Sequence, residues 1–104
     1  MNIRITGRHI RIPESVRNYA QQKVLKLPRI YDNIQEIEVI VDNDKNGNSS
    51  VEMIARLEHH RSHVVKSVAE SSYKGIDMTV HKLENHLRKV KGKERENKHT
   101  EETY

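Results

Sequence analysis

The 104-residue chain has no cysteine, no tryptophan and no phenylalanine, and only two prolines and four glycines. Without cysteine, neither a disulfide framework nor a thiolate zinc site is available. Hydrophobic residues make up 34% and aromatics 4%, so the core must be small and aliphatic. A chain of this length holds one domain, because two cores would not fit. No apolar run approaches the ~18 residues of a membrane span. The N-terminus alternates Ile with polar residues and carries no apolar signal core. These absences lead to the expectation of a soluble cytoplasmic protein.

Catalytic signatures are missing too. There is no nucleophile elbow, no phosphate loop and no Cys/His pairing, so the chain is not expected to be an enzyme or to carry a cofactor. DNDKNG (Asp42 to Gly47) matches the first half of an EF-hand loop. The match then fails, with Met53 at the twelfth position and strand-like sequence on both sides. A polar hairpin loop explains the stretch as well. Of the seven histidines, His59, His60 and His63 straddle a predicted turn, and His81 and His86 diverge on a helix. Neither group makes a metal shell, and no metal is expected.

What the chain does have is charge, at 33% of residues against ~25% in an average domain. It is also sorted. Residues 1–30 carry seven Lys/Arg against one acid, residues 31–60 two against seven, and residues 61–104 ten against seven. A net +4 distributed this way suggests a polyanionic partner, most often nucleic acid.

The periodicity predicts six elements. Ile3 and Ile5 mark a strand over Asn2–Arg8. A helix opens at Pro13, buries Val16, Tyr19, Ala20, Val24 and Leu27, and stops at Pro28. Strand alternation returns at Ile37, Val39 and Val41, then at Val51, Met53, Ala55 and Leu57, across an Asn/Gly/Ser-rich connection from Asn43 to Ser50. After a tight turn at HHRS, a further strand spans about His63–Ala69. Ser71 or Ser72 then caps a last helix. Its apolar residues, Tyr73, Ile76, Val80, Leu83, Leu87 and Val90, recur at spacings of 3, 4, 3, 4 and 3. Gly92 is expected to end that helix. The domain is placed at residues 1–91, with 92–104 a mobile polar tail. The order β-α-β-β-β-α implies a right-handed first crossover and a two-layer α+β sandwich, with both helices on one face of a four-stranded sheet.

KLENHLRKVKGK (Lys82 to Lys93) carries five basic residues and one acid. On a helical wheel Lys82, Lys89 and Lys93 share a narrow wedge on the side away from the apolar stripe, near Met78, Asn85 and His86. They span eleven positions, roughly 16 Å at ~1.5 Å per residue, long enough to track several phosphates. Asp77, Glu84 and Arg88 fall on another flank, spaced for i,i+4 pairs. Lys23 lies inside the stripe of the first helix, so its ammonium must emerge at an edge. The functional expectation puts it beside the N-terminal strand, in a patch with Arg4 or Arg8 and Lys26. Ordinary solvated faces and plain snorkelling explain these lysines as well.

ITGRHIRIPESVRNYAQQKVLKL (Ile5 to Leu27) and SYKGIDMTVHKLENHLRKVKGK (Ser72 to Lys93) resemble the first strand and helix and the last helix of the ribosome hibernation promoting factors, also called ribosome-associated inhibitors or sigma factor modulation proteins. The resemblance covers residues 1 to about 93. It implies a fold related to double-stranded-RNA-binding domains. It also implies binding to the small ribosomal subunit at the decoding region, where the protein would block mRNA and the A- and P-site tRNAs. The family's basic positions fall on Lys23, Lys26, Lys82, Lys89 and Lys93. Asn85 stands where the family often has Arg and His86 where it has Gln, so one cationic contact is expected to be either lost or moved to Arg88. There is no second domain of the kind long members use for dimerisation, so the resemblance is to a short member. The expected RNA-binding set is Arg8, Lys23, Lys26, Lys82, Arg88, Lys89, Lys91 and Lys93, with 16S-type rRNA and neighbouring ribosomal proteins as partners and no small-molecule substrate. Two other readings stay open: a transcription-factor modulator docking through the acidic hairpin, and a general RNA-binding domain.

Overall fold

The computed structural model describes the backbone of residues 1–102 and the side chains of residues 1–59 and 61–94. Strand β1 (Asn2–Gly7) leads through a turn into helix α1 (Glu14–Val24), with Pro13 as its N-cap and Glu14 in its first turn. A 3-10 turn at Leu27–Arg29 absorbs Pro28. Strands β2 (Ile34–Asn43), β3 (Ser49–Leu57) and β4 (Ser62–Ala69) follow, then helix α2 (Ser72–Glu102).

The strands lie in the order β1-β2-β3-β4. β1 runs parallel to β2, pairing Ile3 with Ile37 and Ile5 with Val39. The other two pairings are antiparallel. Both helices cover one face, as the single apolar stripe of each requires. Beneath them Ile37, Val39, Val41, Val51, Met53, Ala55 and Leu57 are essentially inaccessible, and Ala20, Val24, Ile76, Leu83 and Leu87 meet them from above. The alternation in the sequence therefore gives both the strands and the face each buries. The opposite face is open.

Local chemistry sets the connections. In the hairpin loop, the Asp44 carboxylate accepts from the backbone N–H groups of Asn46 and Asn48, both at 2.9 Å, and Gly47 takes φ = 81°. The EF-hand-like DNDKNG thus uses an acid to hold its own loop. Ser71 caps α2, its hydroxyl accepting from the Lys74 N–H at 3.2 Å.

The far end of α2 departs from the sequence expectation. The helix continues through Gly92 to Glu102; one glycine costs a helix only ~1 kcal/mol relative to Ala. The apolar beat also goes on, because the position after Val90 in the 3-4 series is Glu94. Its carboxylate accepts from the hydroxyl of buried Tyr31 at 2.8 Å and pairs with Arg61. α2 is therefore fastened to the body beyond the expected break. Of the expected tail, residues 103–104 and the side chains of residues 95–102 lie outside the described residues.

At its other end α2 approaches the sheet closely through Gly75. A Cβ there would sit 2.8 Å from the Val51 Cγ2. Gly75→Val is expected to destabilise the fold by about 1–3 kcal/mol through overpacking, measured as a lower midpoint in urea denaturation.

Candidate nucleic-acid interface

The open face of the sheet carries charge of both signs. On the open face, the register places Glu36, Glu38, Asp42 and Glu52 on the two central strands. Arg56 donates to Glu36 at 2.6 Å and to Glu38 at 3.1 Å, and Arg8 lies 3.8 Å from Glu52. The same face carries half-buried Ile40 and Ile54 and exposed Val64 and Val68. Arg8 is thus an open-face residue held by an acid, and the structure does not join it to the helical cations.

On the helical side the expected lysines form separate groups. Lys23 does not emerge beside β1. Its ammonium points to α2, 3.7 Å from Asp77 and 5.2 Å from the centre of the Tyr19 ring. Tyr19 also donates to Asp77, at 2.6 Å, and the Tyr19 and Tyr73 rings meet edge to face at 5.2 Å. That hydrogen bond, followed by burial, raises the Tyr19 pKa above its ordinary value. Lys23 and Lys26 therefore line a cleft between α1 and α2 that also contains Asp77, His81 and Glu84. The i,i+4 pairing expected of Asp77, Glu84 and Arg88 is not found: Asp77 crosses to α1, and among the described residues Glu84 and Arg88 form no ion pair.

The Lys82–Lys89–Lys93 line is on α2, but on its flank over β4 rather than on the side away from the sheet. The Lys82 ammonium donates to the Lys66 carbonyl at 2.8 Å, reaching down to the sheet edge. Lys89 and Lys93 stand over a groove of about 410 Å³ between α2 and β4, with Arg61, His63, His86 and Glu94. Among the described residues neither lysine has an ion-pair partner. On the other flank Arg88 and Lys91 lie beside Arg29. Arg61 and Arg29 were not in the expected set: each lies in a short connection where sequence periodicity assigns no face.

His63 and His86 form the least expected contact. The His63 Nδ1 is 2.7 Å from the His86 Nε2, the rings lie 4.6 Å apart, and the His63 Nε2 is buried without a partner. Burial, then His86 and Arg61, lowers the His63 pKa. His63 occupies the sheet's covered face and His86 the flank of α2 beside the apolar stripe, a pairing visible only once the topology is known. Among the described residues no three His, Asp or Glu side chains converge as a metal shell; the side chain of His60, part of one weighed cluster, lies outside them.

The sequence profile described as sigma 54 modulation protein / S30EA ribosomal protein matches residues 3–95. The chain belongs to that family. Among curated relatives, S30EA family sequences from Azotobacter vinelandii and Bacillus subtilis are 28% and 29% identical over 102 residues, covering 90% and 89% of this chain. The first is named a ribosome hibernation promoting factor and the second a ribosome hibernation promotion factor. This chain spans 86% of the former and 50% of the latter. Two solved structures share the fold. A ribosomal subunit interface protein from Coxiella burnetii superposes with a TM-score of 0.81 at 26% identity, covering 88% of this chain and 99% of its own. The N-terminal domain of Protein Y from Thermus thermophilus gives 0.76 at 25%, covering 86% and 99%.

The Tyr31–Glu94–Arg61 tie has a pH signature. The Tyr31 hydroxyl lowers the Glu94 pKa below its ordinary 4.5, with Arg61 adding to this against the effect of burial. A carboxylate lowered on folding contributes stability above its unfolded value and loses it as pH falls through the folded one. Glu94→Gln should therefore lower the melting midpoint at neutral pH, by no more than about 5 °C for a partly exposed pair. The difference from the unaltered protein should shrink as pH falls below the ordinary 4.5 and vanish once pH is below the lowered folded value, as read by thermal scans across pH.

Proposed function

We propose that this chain is a ribosome hibernation factor that acts by occlusion. In this reading it binds the small ribosomal subunit at the decoding region, lays its cationic helical flanks on 16S-type rRNA, and blocks the path of mRNA and of A- and P-site tRNA. It works in the cytoplasm and makes or breaks no covalent bond. Residues 1–94 form the binding body, since Glu94 is tied to Tyr31 and Arg61, and the rest of α2 extends from it as a tail.

The observation that carries this reading is the placement of cations that, among the described residues, have no ion-pair partner. Lys89 and Lys93 stand over the β4 groove and Arg88 and Lys91 over the opposite flank, while Glu36, Glu38, Asp42 and Glu52 lie on the far face of the sheet. Such a surface suits a folded polyanion read by its backbone and shape. The names of the Azotobacter and Bacillus relatives support the ribosome as that polyanion. Within the expected set, Lys89, Lys93, Arg88 and Lys91 are the principal contacts. Lys26 and Lys82 are secondary, and Lys23 and Arg8 are occupied by Asp77 and Glu52.

A second reading, a protein-docking regulator, is favoured by the apolar residues Ile40, Ile54, Val64 and Val68 around the open-face acids. Arg56 and Arg8 weaken it, because they neutralise three of those acids within the face itself.

Two measurements test the assignment. For about six neutralised phosphates, log affinity for isolated small subunits should fall by roughly 4–5 per tenfold rise in salt; a slope near zero refutes ribosome binding through this surface. Lys89→Glu with Lys93→Glu should weaken cosedimentation with ribosomes by on the order of 100-fold, with circular dichroism unchanged. If that pair binds normally while Glu36→Lys with Glu38→Lys does not, the docking reading replaces this one.

A further inference from the structure

The His63–His86 contact lies within a groove that Arg61, Lys89 and Lys93 also line. A nitrogen–nitrogen separation of 2.7 Å requires one hydrogen between the two rings. Two neutral imidazoles supply it, one donating and one accepting. One added proton leaves that arrangement intact and gives the pair a single positive charge. A second added proton puts hydrogens on both facing nitrogens and breaks it. The buried His63 Nε2 cannot take the first proton from solvent. His86 is half-buried and lines the groove, so the pair's other outer nitrogen lies on its accessible side.

The surroundings decide when that charge is tolerated. From α2 the pair meets Lys89 and Lys93; from the segment before β4 it meets Arg61. All three oppose another positive charge. Glu94 is the acid of the groove, and it is held by Tyr31 from the β2-side connection and by Arg61, with His59 nearby. An empty groove thus disfavours the protonated pair, and an anion within it removes the penalty. The volume of about 410 Å³ falls within the ~300–1,000 Å³ of ligand pockets, enough for a phosphate with its attached sugar. Val90 supplies an apolar wall.

We propose that this groove seats one phosphodiester of the bound RNA, and that seating it takes up one proton at the His63–His86 pair. The proposal rests on the ribosome-binding reading above and adds to it a specific subsite and a dependence on acidity. Binding should tighten as pH falls through the histidine range, by at most tenfold per pH unit for one proton.

The test is the affinity of the intact chain for isolated small subunits between about pH 8 and pH 6 at fixed salt, with circular dichroism recorded at each pH. The unaltered protein should gain about three- to thirtyfold over that range. In His86→Gln and in His63→Gln the slope should fall towards zero, whatever their affinity at the alkaline end. His81→Gln, altered at the α1–α2 cleft, should keep the slope. A flat profile for the unaltered protein, a slope surviving in both groove variants, or a slope lost in His81→Gln overturns the proposal and leaves ribosome binding standing. Absence of binding at every pH overturns both.

Discussion

Everything on the helical side of this molecule depends on how α2 is seated. Ile76, Val80, Leu83 and Leu87 fix its rotation by pressing one stripe onto β3 and β4. A helix locked by one stripe has no freedom left for its other residues. Lys89 and Lys93 then fall over the β4 groove, Arg88 and Lys91 over the opposite flank, and Asp77 against α1. The hydrophobic effect acts on the stripe, and the electrostatic surface is its geometric consequence.

Much of this was legible in the sequence because it follows from period. The alternation at Ile37–Val41 and Val51–Leu57 gave the strands and their covered face. The 3-4 spacing from Tyr73 to Val90 gave the helix and its seating. What period does not encode is lateral direction. The wheel put Lys82, Lys89 and Lys93 in one wedge, but whether that wedge looked at solvent or leaned over a strand depended on where β4 ended up. For Lys23, likewise, the direction of its reach was set by an aspartate 54 positions away. His63 and His86 could not be paired by inspection, since their contact requires β4 beneath the middle of α2. Glu94 did carry a signal: it keeps the 3-4 spacing past Gly92, and one glycine does not stop a helix that is fastened beyond it.

The two faces of the sheet solve different problems. Beneath the helices aliphatic side chains interlock without a single phenylalanine, which suits a layer this thin. On the open face the acids are held in ladders with Arg56 and Arg8, so a concentration of negative charge is partly neutralised where it arises. The helical flanks have no equivalent partners at Lys89 and Lys93 among the described residues. Charge is thus spent internally on one side and kept available on the other, and a polyanion approaching the molecule meets two very different surfaces.

The distance between α2 and the sheet is set by side-chain size, and the gauge changes along the helix. At Gly75 the separation is that of a hydrogen atom over Val51. Three turns later two imidazole rings stand in the gap over β4. The histidines therefore act as spacers as well as proton carriers. The groove of about 410 Å³ between α2 and β4 lies beside them.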